Sequence, residues 1–403
     1  MHDSNLEHAF ADLFAWCRER DFSGYDPFDG LNSRLFRAMP LKHSRAARLA
    51  WTQLFKRSPI NLRSLARVPR EQNAKGIALF ALAALSNYRR VRTKEAENEA
   101  RALLGDLMAM RLTGFSGAAW GYNFDWQSRA FFAPRGTPTV VPTAFAARAL
   151  VEAAEAFGDQ NYLQYARTVC DFILNDLNRS HETKDEICFS YSPLDRTRVF
   201  NASLLAGETL ATVGKLTGEP GLYQWTKRAA RYVVHRQSTD GSWRYGSDKY
   251  QSWVDNFHTA FILTSLSRII ESCESAREEF SAAFKRGYEF WRERFVLSNG
   301  WPKYYADRLY PADAHSVGAA IVVLVELRNS VPGALDLADK IAHWAIEDLR
   351  SPSGFFYYQR RRFYKVRIPY MRWSEGWMAY GLARLLEDRG QREKGKGVSV
   401  EKL

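Results

Sequence analysis

The chain has 403 residues, of which 46% are hydrophobic and 25% charged, so it can bury a large core and is not globally disordered. Its 57 Lys and Arg exceed its 45 Asp and Glu, and the formal charge of +12 favours an anionic partner. We find no signal-peptide pattern and no apolar run of about 18 residues, so we expect a soluble, cytoplasmic protein.

The pattern of helices repeats along most of the chain. Residues 1–40 are interpreted as an N-terminal extension, residues 41–388 as the repeat and residues 389–403 as a basic C-terminal tail. Apolar helices rich in small residues begin near Asn73, Thr143, Asn201, His258, His315 and Ser374. More amphipathic helices are predicted over 42–56, 92–110, 160–177, 220–237, 277–296 and 332–349. Aromatic segments precede the later apolar helices at a spacing of about 55 residues, which fits two helices with their loops.

A helix that is apolar around most of its circumference is buried on nearly all sides. Six such helices, alternating with six half-exposed ones, predict an all-α fold. We expect a closed ring of helical hairpins in a single domain, with the apolar helices inside. This periodicity resembles the (α/α)6 toroid of the six-hairpin glycosidase-like superfamily. The segments GYDPFDGLNS (24–33), FSYSPLDRTRVFNAS (189–203) and WVDNFHTAF (253–261) resemble toroid proteins associated with bacterial surface or exopolysaccharide biosynthesis.

In such a ring, the loops before the inner helices meet at one mouth, where side chains vary without disturbing the packing. His258 and His315 occupy the same place in the repeat, with Asp255 and Asp313 just upstream. Paired carboxylates serve glycoside hydrolysis, whereas His and Tyr suit proton abstraction beside a uronate carboxylate. The candidate catalytic residues are Tyr191, Asp195, Asp255, His258, Asp313, His315 and Glu375.

The mouth loops also contain many aromatic and cationic side chains. Flat rings cover the apolar faces of sugars, and charged groups bind hydroxyl or acidic groups. The candidate substrate-binding residues are Trp120, Tyr122, Asp125, Trp126, Arg129, Arg198, Asn201, Trp243, Tyr304, Tyr305, Arg372 and Trp373. The four cysteines form no C-x-x-C pair, and we expect neither a metal ion nor another cofactor.

Positive charge is concentrated in two stretches. Residues 31–70 contain ten Lys or Arg and no acid, and residues 359–372 contain six and again no acid. These stretches favour an acidic oligosaccharide or polysaccharide, in free or lipid-linked form, and the first could contact an anionic membrane. Nucleic acid is the less favoured anion because no recognition motif accompanies the charge.

The predicted function is therefore a carbohydrate-active enzyme that handles a uronate-containing or phosphorylated glycan in bacterial polysaccharide biosynthesis or remodelling. Glycoside hydrolysis is slightly favoured because carboxylates outnumber histidines among the candidates. A uronate lyase or epimerase is the next alternative, followed by a non-catalytic glycan-binding scaffold. A terpene-cyclase-like enzyme is a further alternative, suggested by the segment QSTDGSW (237–243).

Overall fold

The computed structural model describes residues 2–400, with side chains over 4–392. Its first α-helices in chain order are α1 (His2–Arg18), α2 (Arg34–Ala38), α3 (Arg45–Arg57), α4 (Ala74–Val91), α5 (Lys94–Ala109), α6 (Val140–Phe157) and α7 (Gln160–Asn175). They are followed by α8 (Phe200–Thr217), α9 (Gly221–Val234), α10 (Asn256–Ser272), α11 (Glu274–Phe295), α12 (Ala314–Glu326), α13 (Ala334–Asp348) and α14 (Gly376–Val400).

Six helices form a closed inner ring, and the predicted all-α toroid is confirmed. Helices α4, α6, α8, α10, α12 and α14 each pack against the next, and α14 packs back against α4. Their apolar circumference explains this position. In α4, for example, every residue over 74–86 is buried, and in α12 every residue over 314–325 is buried.

The outer layer differs at one position from the predicted order. Helices α5, α7, α9, α11 and α13 each pack on the inner helix that precedes them, and α1 packs on α14 as the sixth outer helix. Residues 1–40, interpreted as an extension, thus include a helix of the ring. Leu6 and Leu13 of α1 are fully buried. The helix predicted over 42–56 is α3, which packs at the mouth rather than in the outer layer.

Short strands connect the mouth loops. Strands β1 (Trp126–Gln127) and β2 (Phe132–Ala133) pair antiparallel, as do β3 (Arg179–Glu182) and β4 (Ile187–Phe189). Strands β5 (Ala312–Asp313), β6 (Gln359–Arg360) and β7 (Lys365–Val366) form an antiparallel three-stranded sheet. A single bridge between Asp255 and Tyr305 joins the loops that precede α10 and α12. Neighbouring loops are thereby held together around one opening.

Ion pairs between inner helices lie far from these loops. Arg89 of α4 contacts Glu152 of α6 at 2.8 Å and Glu387 of α14 at 2.6 Å. Arg268 of α10 contacts Glu326 of α12 at 2.8 Å. Each member is largely buried, so removing one partner would leave an uncompensated charge. This network joins α4 to α6 and α14, and α10 to α12, away from the helix ends that face the mouth.

The predicted basic tail over 389–403 begins inside α14, which continues to Val400, and residues 401–403 lie outside the described part. Among the helices described, none combines the length and the hydropathy needed to cross a bilayer.

Candidate functional site

A cavity of about 660 Å³ opens at the mouth of the ring. The loops before α6, α8, α10, α12 and α14 each contribute to its wall, through residues such as Trp126, Thr197, Trp253, Tyr304 and Gln359. The inner helices begin at this end, so their partly positive amino termini converge on the cavity. The arrangement favours a ligand that carries negative charge.

His258 and Asp255 form a hydrogen-bonded pair in the cavity wall. Asp255 caps α10: its Oδ1 accepts the backbone N–H of His258 at 3.0 Å, and its Oδ2 lies 2.7 Å from His258 Nδ1. Trp253 Nε1 donates to the same Oδ2 at 3.0 Å. Because a carboxylate only accepts, the proton of the pair lies on Nδ1, and Nε2 remains the basic nitrogen. The His258 side chain is 20% exposed, so a ligand in the cavity can reach it.

His315 occupies the equivalent position on α12, and no described residue forms an ion pair with it. Its ring stacks on Phe257 at 4.3 Å and on Trp377 at 4.8 Å between ring centroids. Neither ring nitrogen finds a hydrogen-bond partner among the described residues, although the ring lines the cavity. Burial lowers the pKa of His315 well below its usual value, and the nearby cations Lys75 and Arg372 act in the same direction. His315 is therefore neutral at pH 7.

Two buried cationic side chains also line the cavity. Arg372 donates to both carboxylate oxygens of Asp26, at 2.6 and 2.8 Å. Lys75, in the first turn of α4, lies with its Nζ 4.6 Å from the ring centre of Phe145 and 5.0 Å from that of Phe261. No described carboxylate forms an ion pair with it. Burial lowers the pKa of Lys75 well below its usual value, and the charge of Arg372 lowers it further.

The charges that line the cavity are mostly of one sign. Among the described lining residues, the Lys and Arg side chains are Lys56, Arg57, Lys75, Arg129, Arg361 and Arg372, whereas the one acidic side chain is Asp255. The pKa of Lys56 is also lowered by burial, although Asp313 and Asp255 oppose the shift. A carboxylate or phosphate group in the cavity would be attracted by this excess of cations.

Aromatic rings form much of the remaining wall. Tyr245 stacks on Trp253 with centroids 4.4 Å apart, and Trp126 packs against Tyr191 at 5.1 Å. The hydroxyl groups of Tyr122 and Tyr191 lie 3.0 Å apart. Burial, together with the neighbouring Tyr122, raises the pKa of Tyr191 well above its usual value. Tyr191 therefore keeps its proton at pH 7 and serves as a hydrogen-bond donor rather than as a base.

Many of the residues predicted for the site meet in this wall. The catalytic candidates found there are Tyr191, Asp255, His258 and His315, and the binding candidates are Tyr122, Trp126, Arg129, Asn201, Tyr304, Tyr305, Arg372 and Trp373.

Three predicted catalytic carboxylates do not line the cavity, because hydrogen bonds hold each of them in the surrounding loops. Asp195 accepts from the Ser192 backbone at 2.7 Å and from the Thr197 backbone at 2.8 Å, which fixes its own loop. Asp313 caps α12 and accepts from Gln359 Nε2 at 2.8 Å. Burial raises the pKa of Asp313 to about 6.

The third, Glu375, accepts the backbone N–H of Phe356 at 2.9 Å and is fully buried. Four predicted binding residues also lie outside the wall. Trp120 and Trp243 are buried and donate their indole N–H groups to backbone carbonyls at 2.7 and 3.0 Å. Asp125 forms an ion pair with Arg37 of α2, and Arg198 forms one with Asp248 of the mouth loop before α10. These contacts position the loops rather than a ligand.

Several wall residues were missed by sequence reasoning. Lys75 was not selected, although a Lys inside an otherwise apolar helix was a usable signal. Lys56 and Arg57 belong to the first basic stretch, but their helix was predicted to lie in the outer layer. Phe257 and Phe261 could not be distinguished from core residues by spacing alone. Among the described residues, no group of three or more His, Cys, Asp or Glu could hold a metal ion.

Comparison with known proteins shows the fold. No protein-family model and no curated protein sequence matches the chain. A sugar epimerase from a ruminal bacterium matches with a TM-score of 0.62 and 12% identity, over 81% of this chain and 90% of that one. The chain is a six-hairpin (α/α)6 toroid.

Two other solved structures have the same architecture. An unsaturated glucuronyl hydrolase specific for heparin matches with a TM-score of 0.61 and 12% identity, over 96% of this chain and 97% of the hydrolase. A GH76 alpha-mannanase from Bacteroides thetaiotaomicron matches with a TM-score of 0.61 and 12% identity, over 80% of this chain and 88% of the mannanase.

Proposed function

We propose that the chain is a carbohydrate-active enzyme that transfers a proton on an acidic sugar, with His258 as the acid–base group. The observation that carries this proposal is the hydrogen bond between His258 and Asp255 in the wall of the cavity. A carboxylate that holds one imidazole nitrogen fixes the tautomer and leaves the other nitrogen to exchange protons. The sugar epimerase, mannanase and glucuronyl hydrolase named among the similar structures support a carbohydrate as the substrate.

The sugar is proposed to be acidic because the described lining contains six Lys or Arg and one Asp. A uronate carboxylate beside Arg372 or Lys75 would have its charge neutralised there. Neutralisation makes the hydrogen on the adjacent carbon more acidic, since the charge that develops on the carboxylate is stabilised. An isoprenoid cyclase would need an apolar cavity, and the same cations argue against that alternative.

In this mechanism His258 Nε2 removes the proton from the carbon next to the carboxylate. A lyase would then expel the oxygen substituent of the neighbouring carbon, with Tyr191 available as a donor. An epimerase would return a proton to the opposite face of the same carbon. His315 is the second imidazole in the wall, and because it is neutral at pH 7 it would have to take up a proton from solvent before acting as that donor. We propose that this reaction serves the biosynthesis or remodelling of a bacterial polysaccharide in the cytoplasm, on a free or lipid-linked glycan.

Glycoside hydrolysis is the second candidate, and Asp255 in the wall is the observation that favours it. Hydrolysis by two carboxylates requires a partner within about 5–10 Å on the other side of the sugar. The described lining residues supply no second carboxylate, because Asp195, Asp313 and Glu375 lie outside the wall. We therefore rank proton transfer above glycoside hydrolysis. The sequence had slightly favoured hydrolysis, because carboxylates outnumber histidines among the candidate residues.

The experiment is to incubate the protein with uronate oligosaccharides in D₂O and follow them by NMR. For an epimerase we expect deuterium to enter the carbon next to the carboxylate, with inversion of that centre. For a lyase we expect that carbon to lose its hydrogen and become part of a new double bond. His258→Gln should lower the rate at least about 100-fold with an unchanged melting temperature, since general acid–base catalysis contributes about 10²–10⁴.

The matched control is His43→Gln, at an exposed histidine in the short helix Pro40–His43. This variant should keep the full rate. Cleavage that forms no double bond and leaves the original hydrogen at that carbon would indicate hydrolysis, and binding without any turnover would indicate a glycan-binding scaffold. Either result would refute proton transfer.

A further inference from the structure

A basic and apolar surface lies beside the mouth. We define the mouth rim as residues 31–70 together with the β6–β7 hairpin over 359–366. Both parts border the cavity, because Lys56 and Arg57 of α3 and Arg361 and Tyr364 of the hairpin line it. The proposed reaction uses the interior of the cavity and leaves the outer face of this rim without a role.

The mouth rim carries large apolar side chains in contact with solvent. Leu35, Leu41, Leu54, Ile60 and Leu65 are 44–78% exposed, and Phe363 at the tip of the hairpin is 83% exposed. Single exposed apolar residues are common on soluble proteins, but a concentration of them along one segment indicates an interaction surface.

The rim is also strongly cationic. Of the ten Lys or Arg in residues 31–70, the ion pairs of the described side chains involve Arg37, with Asp125, and Arg63, with Asp29. In the hairpin, Arg360 and Lys365 contact Asp348, whereas Arg361 and Arg362 form no described ion pair. The rim cations without a described carboxylate partner keep a charge that an anionic partner can neutralise.

Hydrogen bonds make the first part of the rim one folded unit. Ser33 Oγ donates to the carbonyl of Ala66 at 2.6 Å, and the backbone N–H of Arg34 donates to the carbonyl of Arg67 at 3.3 Å. The buried Arg63 donates to the hydroxyl of Tyr370 at 2.9 Å. The exposed Leu and Lys or Arg residues are thus held by a fixed scaffold that also connects to the segment preceding α14.

We infer that the mouth rim docks on an anionic lipid bilayer, with its Leu, Ile and Phe side chains in the interfacial layer. Cations alone would suit nucleic acid equally well, but solvent-exposed aliphatic side chains gain nothing from a phosphate backbone. A bilayer surface interacts favourably with both kinds of side chain. Anionic headgroups attract Lys and Arg, and the boundary with the acyl chains accepts apolar side chains. Docking would turn the mouth toward the lipid, where an acidic glycan attached to a lipid would enter. Membrane docking does not depend on the proposed reaction. Only the entry of a lipid-linked substrate into the mouth rests on the proposed function.

The test is flotation of the full chain with vesicles of phosphatidylcholine, alone or mixed with phosphatidylglycerol. We expect binding to the mixed vesicles only. The variant Leu65→Ser with Phe363→Ser and the variant Arg34→Gln with Lys42→Gln should each weaken that binding at least tenfold. These four side chains do not line the cavity, so both variants should retain their turnover of a soluble uronate oligosaccharide.

The matched controls lie elsewhere on the ring. Val91→Ser replaces an exposed side chain at the last residue of α4, and Lys285→Gln replaces an exposed lysine on α11. Both should bind the mixed vesicles like the unaltered chain. Binding that survives the Leu65 and Phe363 substitutions, or binding to single-stranded DNA with no binding to vesicles, would overturn membrane docking. Neither outcome changes the result of the deuterium assay. Membrane docking and proton transfer can therefore be refuted independently of each other.

Discussion

Lys75 places a buried amine in the cavity wall, where it contributes little to the stability of the fold. It is buried against Phe145 and Phe261, and burial lowers its pKa well below the usual value of 10.5. Between that lowered pKa and about 10.5 the unfolded chain binds more protons than the folded chain, so the contribution of Lys75 to stability rises with pH through this window. A residue that is costly for folding yet faces the cavity is typical of a functional site.

We predict that Lys75→Met raises the free energy of unfolding at pH 7 by about 1–3 kcal/mol, because a buried amine without an ion-pair partner is removed. The same change should weaken binding of the acidic sugar, seen as a higher KM. Denaturant unfolding and steady-state kinetics measure the two effects. Lys285→Met, at an exposed lysine of α11, is the control and should change neither quantity. A loss of stability in Lys75→Met would contradict this account.

Glu375 should give stability a pH dependence of the opposite sign. Burial raises the pKa of Glu375 to about 8, although the Phe356 N–H donates to it. The folded chain then holds a proton that the unfolded chain loses above about pH 4.5, so this contribution falls as pH rises toward about 8. Glu375→Gln should therefore raise the melting temperature by a few degrees at pH about 8, with little change at pH about 5. Thermal unfolding across this range measures it, and a difference independent of pH would refute the assigned pKa.

At the scale of elements, glycine permits a close approach of two inner helices at the crossing of α12 and α14. A Cβ atom on Gly318 would lie 2.4 Å from the carbonyl oxygen of Trp377 and 2.6 Å from its carbonyl carbon. Gly381 of α14 faces Gly318 at this crossing. The two helices would have to separate to admit a methyl group, and both belong to the inner ring.

We predict that Gly318→Ala lowers the free energy of unfolding by about 1–3 kcal/mol or more, as overpacking against backbone does. The control is Gly105→Ala in the middle of α5, where a Cβ would meet no atom within 4 Å. That change should stabilise the chain by about 0.5–1 kcal/mol, because alanine favours a helix over glycine. Urea unfolding of both variants tests the pair, and equal effects of the two would contradict the tight crossing.

For the helices, the sequence alone predicts which ones form the inner ring. It does not predict which amphipathic helix takes each place in the outer layer. Apolar residues around the whole circumference of α12 leave it no exposed face, so its burial follows from composition alone. The shared register of His258 and His315 likewise brings both to the cavity. Helices α1 and α3 are both amphipathic, and only the long-range return of the chain decides which packs on α14. The position of Lys75 inside an apolar helix was a usable signal of burial, but that the side chain faces the cavity follows only from the arrangement of the neighbouring helices.

For the whole molecule, the ring is complete only with the first helix of the chain. Helix α1 packs on α14 and also contacts α13, which ends at Asp348. The amino-terminal helix therefore completes the outer layer beside the last outer helix of the chain. A closed ring has no exposed end that needs a capping repeat. Removal of α1 should expose the outer side of α14 and weaken both neighbouring hairpins.

We therefore predict that Leu13→Ala, at a fully buried position of α1, lowers the free energy of unfolding by about 2–5 kcal/mol. Leu54→Ala on α3, at a side chain that is 51% exposed, is the matched control and should change it by no more than about 0.5 kcal/mol. Chemical unfolding of the two variants at one pH compares them directly. If residues 1–40 were only an extension of an already closed ring, Leu13→Ala would be as mild as Leu54→Ala. A large cost at Leu13 alone would instead show that the two termini of the ring stabilise each other.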